Sequence, residues 1–134
     1  MLTELSKDTN EWVRWAVACN KHTPAEVLTE LAKDEYTPVC ETVAINPHTP
    51  ADILSALAKG NWIVRKAVAC NKHTPAEVLA ELAKDAEWMA RYRVAKNVNT
   101  PASALAVLAK DSNWAVAEAA KLEQKERRRF SKAL

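Results

Sequence analysis

Apolar and polar positions alternate along this chain in short bursts at helical spacing. Val27, Leu28, Leu31 and Ala32 fall on one face, with Glu30 and Lys33 opposite. That is the i, i+3, i+4 pattern of an amphipathic helix. A second burst, Val13, Ala16 and Val17, returns as Val64, Ala67 and Val68. Each burst predicts a helix too short to stand alone, because isolated helices of about 9–12 residues are marginal in water. Pairs of short helices that bury their apolar sides only against neighbours predict a stack of repeats.

The repetition is literal in places. "VACNKHTPAEVL" occurs at 17–28 and again at 68–79. Asn20, Asn46, Asn71 and Asn97 each precede a Thr-Pro pair by three residues, at spacings of 26, 25 and 26. Periods of this size mark solenoids. The 134 residues divide into units near 2–27, 28–53, 54–78, 79–104 and 105–134, a single repeat domain over 1–134. In each unit Thr23-Pro24 and its equivalents predict an N-cap followed by Pro at the first helical position, with Glu26 completing a capping box. The second segment is expected to be the shorter one, capped by the preceding Asp and closed by Asn. Pro47 bars a helical Asn46. The short repeat lacks one residue beside Gly60, where the other repeats carry Asp8, Asp34, Asp85 and Asp111. A tightened turn there calls for dihedrals that glycine tolerates.

Composition agrees with an all-α reading, since Ala, Leu, Glu and Lys dominate and there is one Gly. The net charge of +2 is unevenly spread. Residues 121–134 carry six Lys/Arg against Glu123 and Glu126, which leaves the body slightly acidic and the tail basic. No apolar run approaches the ~18 residues of a membrane span. The opening "MLTELSKDTNEW" has no apolar core of a signal peptide. Three cysteines without a CxxC pair read as reduced thiols. A cytoplasmic protein with no membrane contact is expected.

The stretches "VRWAVACNKHTPAEVLTELAKD" at 13–34 and "VRKAVACNKHTPAEVLAELAKD" at 64–85 resemble the leucine-rich repeat variant family. "VCETVAINPHTPADILSALAK" at 39–59 and "ARYRVAKNVNTPASALAVLAKD" at 90–111 are looser copies. The resemblance covers residues 2–120. It implies a right-handed superhelix of alternating α and 3₁₀ segments, so that the second, short segment would be partly 3₁₀. A member of that family carries an iron–sulphur cluster in a separate cysteine-rich part. Cys19, Cys40 and Cys70 lie in different repeats without cluster spacing, so no cofactor is carried over.

The candidate chemistry is thin. His22, His48 and His73 form a column one position before Thr-Pro; a shared metal would need ligands within about 2.1 Å of one ion. The other reading is a hydrophobic staple on Val27, Ile53 and Val78, since both members change together to Asn99 and Ala104 in the fourth repeat. The Asn column is read as pairing loop backbone groups between repeats. Cys19 and Cys70 align with Ile45, which suggests small buried thiols. No paired carboxylates, phosphate loop or nucleophile–base pair argues for an enzyme, and no cofactor or metal is expected.

The strongest functional candidate is the outer face of the second segments. Arg14, Arg65 and Arg91 share a column, interrupted by Cys40. Trp15, Lys66 and Tyr92 share the next, interrupted by Glu41 and followed by Arg93. Trp12, Trp62, Trp88 and Trp114 stand near the starts of these segments. Arg, Trp and Tyr are favoured anchors of protein interfaces. They also suit nucleic acid, through phosphates and base stacking, with the basic tail assisting. The alternative is that the tryptophans fill gaps between repeats under Arg stems. "KERRRF" is read as part of a C-terminal capping helix ending near Arg129, since end repeats need a polar cover. Leu2 and Leu5 leave an uncapped N-terminal edge where a second copy would fit. The expectation is a non-enzymatic scaffold binding a protein along this face. The alternative is a nucleic-acid-binding solenoid.

Overall fold

A computed structural model describes residues 1–133 of the chain. Those residues form ten α-helices and no strand: α1 (Leu2–Leu5), α2 (Glu11–Cys19), α3 (Ala25–Leu31), α4 (Thr37–Ile45), α5 (Ala51–Leu57), α6 (Trp62–Cys70), α7 (Ala76–Leu82), α8 (Trp88–Lys96), α9 (Ala102–Leu108) and α10 (Trp114–Ala133). The even-numbered helices α2 to α10 pack on one another in chain order. Each of α3, α5, α7 and α9 packs against the even-numbered helices that flank it. Equivalent positions supply equivalent core residues. Leu28, Leu54, Leu79 and Leu105 are buried in one column, and Val17, Val43, Val68 and Val94 in another. Each such leucine contributes about 1.5–3 kcal/mol by leaving water.

Both segments of each unit are α-helical, and the second is the longer, nine residues in α2 against seven in α3. The expected 3₁₀ segment is absent among the described residues. Bonds of i→i+3 type are confined to helix ends, such as Lys33 N–H to Glu30 O and Asp34 N–H to Leu31 O.

The helix starts also differ from expectation, for a local reason. Pro24 is in the extended region (ψ 152°), so it is the N-cap itself and α3 begins at Ala25. Thr23 turns inward. Its hydroxyl donates to Val17 O at 2.6 Å, a carbonyl of the last turn of α2. Thr49, Thr74 and Thr100 do the same to Val43, Val68 and Val94. The threonine therefore closes the preceding helix, whose final carbonyls lack intrahelical partners. No capping box forms, and Glu26 is exposed.

The caps of the second helices are likewise displaced. Asn10 caps α2 by accepting from Trp12 N–H, and Asn61 caps α6 by accepting from Val64 N–H. Asp8, two residues earlier, accepts from the Asn10 amide instead. Gly60 has no positive φ, so its backbone does not require glycine. A Cβ there would lie 3.2 Å from Leu57 O, a close contact in a short turn. The last helix, α10, runs beyond the expected Arg129 to Ala133.

Candidate functional site

Two sets of bonds repeat from unit to unit and set which side chains face outward. The first is an asparagine ladder. Asn46 Nδ2 donates to Ala18 O and Asn20 O of the unit before it, at 2.8 and 3.3 Å. Asn71 reaches Ala44 O and Asn46 O, and Asn97 reaches Ala69 O and Asn71 O. The Oδ1 of each accepts the amide of the residue two further on, at His48, His73 and Asn99. Asn46, Asn71 and Asn97 are buried, whereas Asn20 at the start of the ladder is exposed. At the far end Arg127 takes over. Its guanidinium donates to Thr100 O at 2.7 Å, Val98 O at 3.1 Å and Asn97 O at 3.4 Å, and pairs with Glu123 at 3.0 Å.

The second set is an ionic clasp. Arg14, Arg65 and Arg91 each grip an aspartate 20 residues on through two nitrogens, Asp34, Asp85 and Asp111 respectively, with Nε–O distances of 2.6, 2.7 and 2.8 Å. The same guanidiniums donate to the backbone at Asp8 O, Gly60 O and Asp85 O. The side chains are largely covered, Arg65 at 25% exposure and Asp85 at 6%. Burial works to raise the Asp34 and Asp85 carboxyls. The hydrogen bonds from Arg14 and Arg65 and from backbone amides outweigh it, and both are held below their ordinary value. For Asp111 the bond from Arg91 is itself the largest influence, again downward.

The arginine column is plain in the sequence, whereas its aspartate partners lie outside any helical spacing. The signal was present: where the arginine position holds Cys40, the position 20 residues on holds Gly60. Both halves of the clasp are lost together. The Cys40 thiol instead donates toward Asp34 O at 3.0 Å.

Of the seven candidate binding residues, Arg14, Arg65 and Arg91 are therefore committed to these clasps. Trp15 and Arg93 are exposed, and Lys66 and Tyr92 are half-buried. Lys66 Nζ stands 5.8 Å from the Trp62 ring centre, and the Arg93 guanidinium and Lys96 Nζ stand 5.8 and 5.5 Å from that of Tyr92. Cation–aromatic contacts of this kind hold flexible basic heads over ring faces. Trp12 meets Trp15 and Tyr36 edge to face, and Trp88 meets Tyr92. All five tryptophans are exposed, Trp12 at 59% and Trp114 at 77%, together with Ile45, Met89 and Leu122. Trp15, Trp62 and Trp88 are still more than half covered, and Trp12 packs on Tyr36 at the start of the next helix pair, so the rings partly fill the seams and partly face out.

One further expectation changes. Cys19 and Cys70 are exposed and not buried, in the same column as an exposed Ile45. Their sulphurs are still partly covered, and burial pushes all three thiols above the ordinary cysteine range, away from the thiolate a nucleophile needs. His22, His48 and His73 also stand exposed, and the fold uses their amides, which donate to Asn20, Asn46 and Asn71. Among the described residues no three His, Cys, Asp or Glu side chains converge as a metal site requires, and no helix is long and apolar enough to cross a membrane.

No family model matches the sequence, and no curated protein matches it.

Proposed function

We propose that this protein is a non-enzymatic repeat scaffold that binds a protein partner along the exposed face of α2, α4, α6 and α8. One observation carries the reading: a row of exposed Trp12, Trp15, Ile45, Trp62, Trp88 and Met89 crosses successive helices on a single side. Exposed apolar rows rimmed by polar groups mark interaction surfaces. Trp and Tyr with basic neighbours are the residues that dominate binding energy in such surfaces. Trp15, Lys66, Tyr92 and Arg93 are the direct contacts. Arg14, Arg65 and Arg91 contribute by fixing the helices that present them.

The repeated "VRxAVACNKHTPAEVLxELAKD" supports placing the chain in the leucine-rich repeat variant family, as five repeats in a right-handed superhelix without the iron–sulphur part. A cytoplasmic setting suits the reduced thiols. Half-covered Leu2 and exposed Leu5 of α1 form an apolar edge at which a second copy would add.

The test is affinity capture with the wild-type chain, with Trp15→Ala/Lys66→Ala/Arg93→Ala, and with an Ala56→Ser control on another surface. Partners retained by wild type and control, and lost from the triple variant at unchanged melting temperature, are expected. Identical captured sets from all three would remove the reading.

A further inference from the structure

The last helix carries a second surface of different chemistry. At 3.6 residues per turn, Trp114, Lys121, Lys125, Arg128, Arg129 and Lys132 fall within about 100° of arc on α10. Arg127, on another side, is turned into the stack. Lys125, Arg128, Arg129 and Lys132 are exposed and line one shallow depression by themselves. Lys125 and Lys132 are about 10 Å apart along the axis. Two acids stand nearby. Glu118 lies in the arc and pairs with Lys121 at 3.6 Å, and Glu126 sits beside the arc, 3.8 Å from Arg129. Lys125, Arg128 and Lys132 pair with no other described residue.

We propose that this face of α10 binds the phosphate backbone of single-stranded nucleic acid, with the bare ring of Trp114 stacking on a base. Four cations in a short row neutralise successive phosphates, and release of counterions drives the association. On the same side of α10, about 16 Å along the axis from Lys125, the Trp114 ring adds the sequence-tolerant grip that single strands use. A membrane surface fits less well. Surface-lying helices oppose their basic face with a continuous apolar one, whereas here Leu122 and Phe130 are parted by Glu126 on their side of the helix. The near-neutral body offers no competing field, so a polyanion is drawn to this end of the molecule. The cationic row lies beyond the protein-binding face, whereas Trp114 borders it and lines one depression with Tyr92 and Lys96; different variants test the two readings, so failure of either leaves the other standing.

The test uses the full chain and a labelled, mixed-sequence single-stranded oligonucleotide, with fluorescence anisotropy read between about 50 and 200 mM salt. Four phosphate contacts give a log–log salt slope near −3 for a single strand. Lys125→Gln/Arg128→Gln/Arg129→Gln/Lys132→Gln should flatten that slope and weaken binding at low salt at least about tenfold. Trp114→Ala should weaken it at least about fivefold. Circular dichroism melts keep the comparison to folded protein. Poly-glutamate and phosphatidylserine vesicles are the competing polyanions. The proposal is overturned if the oligonucleotide does not bind at low salt, if either variant binds like wild type, or if poly-glutamate or vesicles bind as tightly.

Discussion

Replacing Asn71 by alanine tests the ladder most directly. Its side chain makes three bonds: Nδ2 to Ala44 O at 2.8 Å, Nδ2 to Asn46 O at 3.1 Å, and Oδ1 from His73 N–H at 2.9 Å. Asn71 is 5% exposed, so water does not readily replace what is lost. Each bond contributes about 1 kcal/mol net, and stranded buried carbonyls add to the cost. The variant should lose about 3 kcal/mol. Asn20 is the built-in control. It keeps a single bond, to the His22 amide, and is exposed, so Asn20→Ala should cost about 1 kcal/mol or less. Urea unfolding of a chain this size has a slope near 2 kcal/mol per molar, and the two midpoints should differ by roughly 1 M. Asn71→Asp keeps the acceptor, loses the donor, and sets a carboxylate against two carbonyl oxygens. At neutral pH it should cost at least as much as alanine. Equal midpoints for Asn71→Ala and Asn20→Ala would show that the bonds between units carry no stability.

Further outcomes follow from the other fastenings. Arg127→Ala removes three bonds to backbone carbonyls at the end of the ladder and should cost about 2 kcal/mol in chemical denaturation, while Arg128→Ala and Arg129→Ala stay within about 0.5 kcal/mol of wild type. Equal effects at all three would deny Arg127 its capping role. The Asp34, Asp85 and Asp111 carboxyls are lowered in the folded protein, so their contribution is present above the unfolded value of about 3.9 and is lost as pH falls through the folded values. Urea midpoints should fall below about pH 4, and Asp34→Asn/Asp85→Asn/Asp111→Asn should show a shallower fall; parallel curves would place the acid sensitivity elsewhere. Gly60→Ala meets only a tight contact with Leu57 O at a permissive backbone, so its melting free energy should change by less than about 1 kcal/mol. A loss several times larger would restore a conformational need for glycine.

How much of this was legible depends on the range of each interaction. The helices and the repeat were readable because Val27, Leu28 and Leu31 obey a local period. The ladder was readable because Asn before x-x-Thr-Pro sits where loop backbone needs partners. Thr23 is ambiguous in the sequence because the same Thr-Pro letters serve equally as a helix start; only the extended ψ of Pro24 decides between opening α3 and closing α2. The clasps were hidden because position 14 meets position 34 through packing, not through helical periodicity, although the joint change at Cys40 and Gly60 was visible in the letters. An apolar Ile45 in the column of Cys19 and Cys70 suggests buried thiols, but Ile45 is itself 54% exposed. Arg127 was not distinguishable from Arg128 and Arg129, since its role rests on where α10 passes the loop at residues 97–100.

The change at Cys40 and Gly60 leaves the α4–α6 junction without an ionic fastening. A neutral bond from Asn61 Nδ2 to Thr37 Oγ1, at 3.2 Å and exposed to water, stands nearby. Pulled from its two ends, the molecule should tear at that seam before the clasped ones at α2–α4, α6–α8 and α8–α10, parting there into a shorter leading piece and a longer trailing one. A partner spanning the seam would act as a splint, and its grip would show as a higher rupture force at that one place.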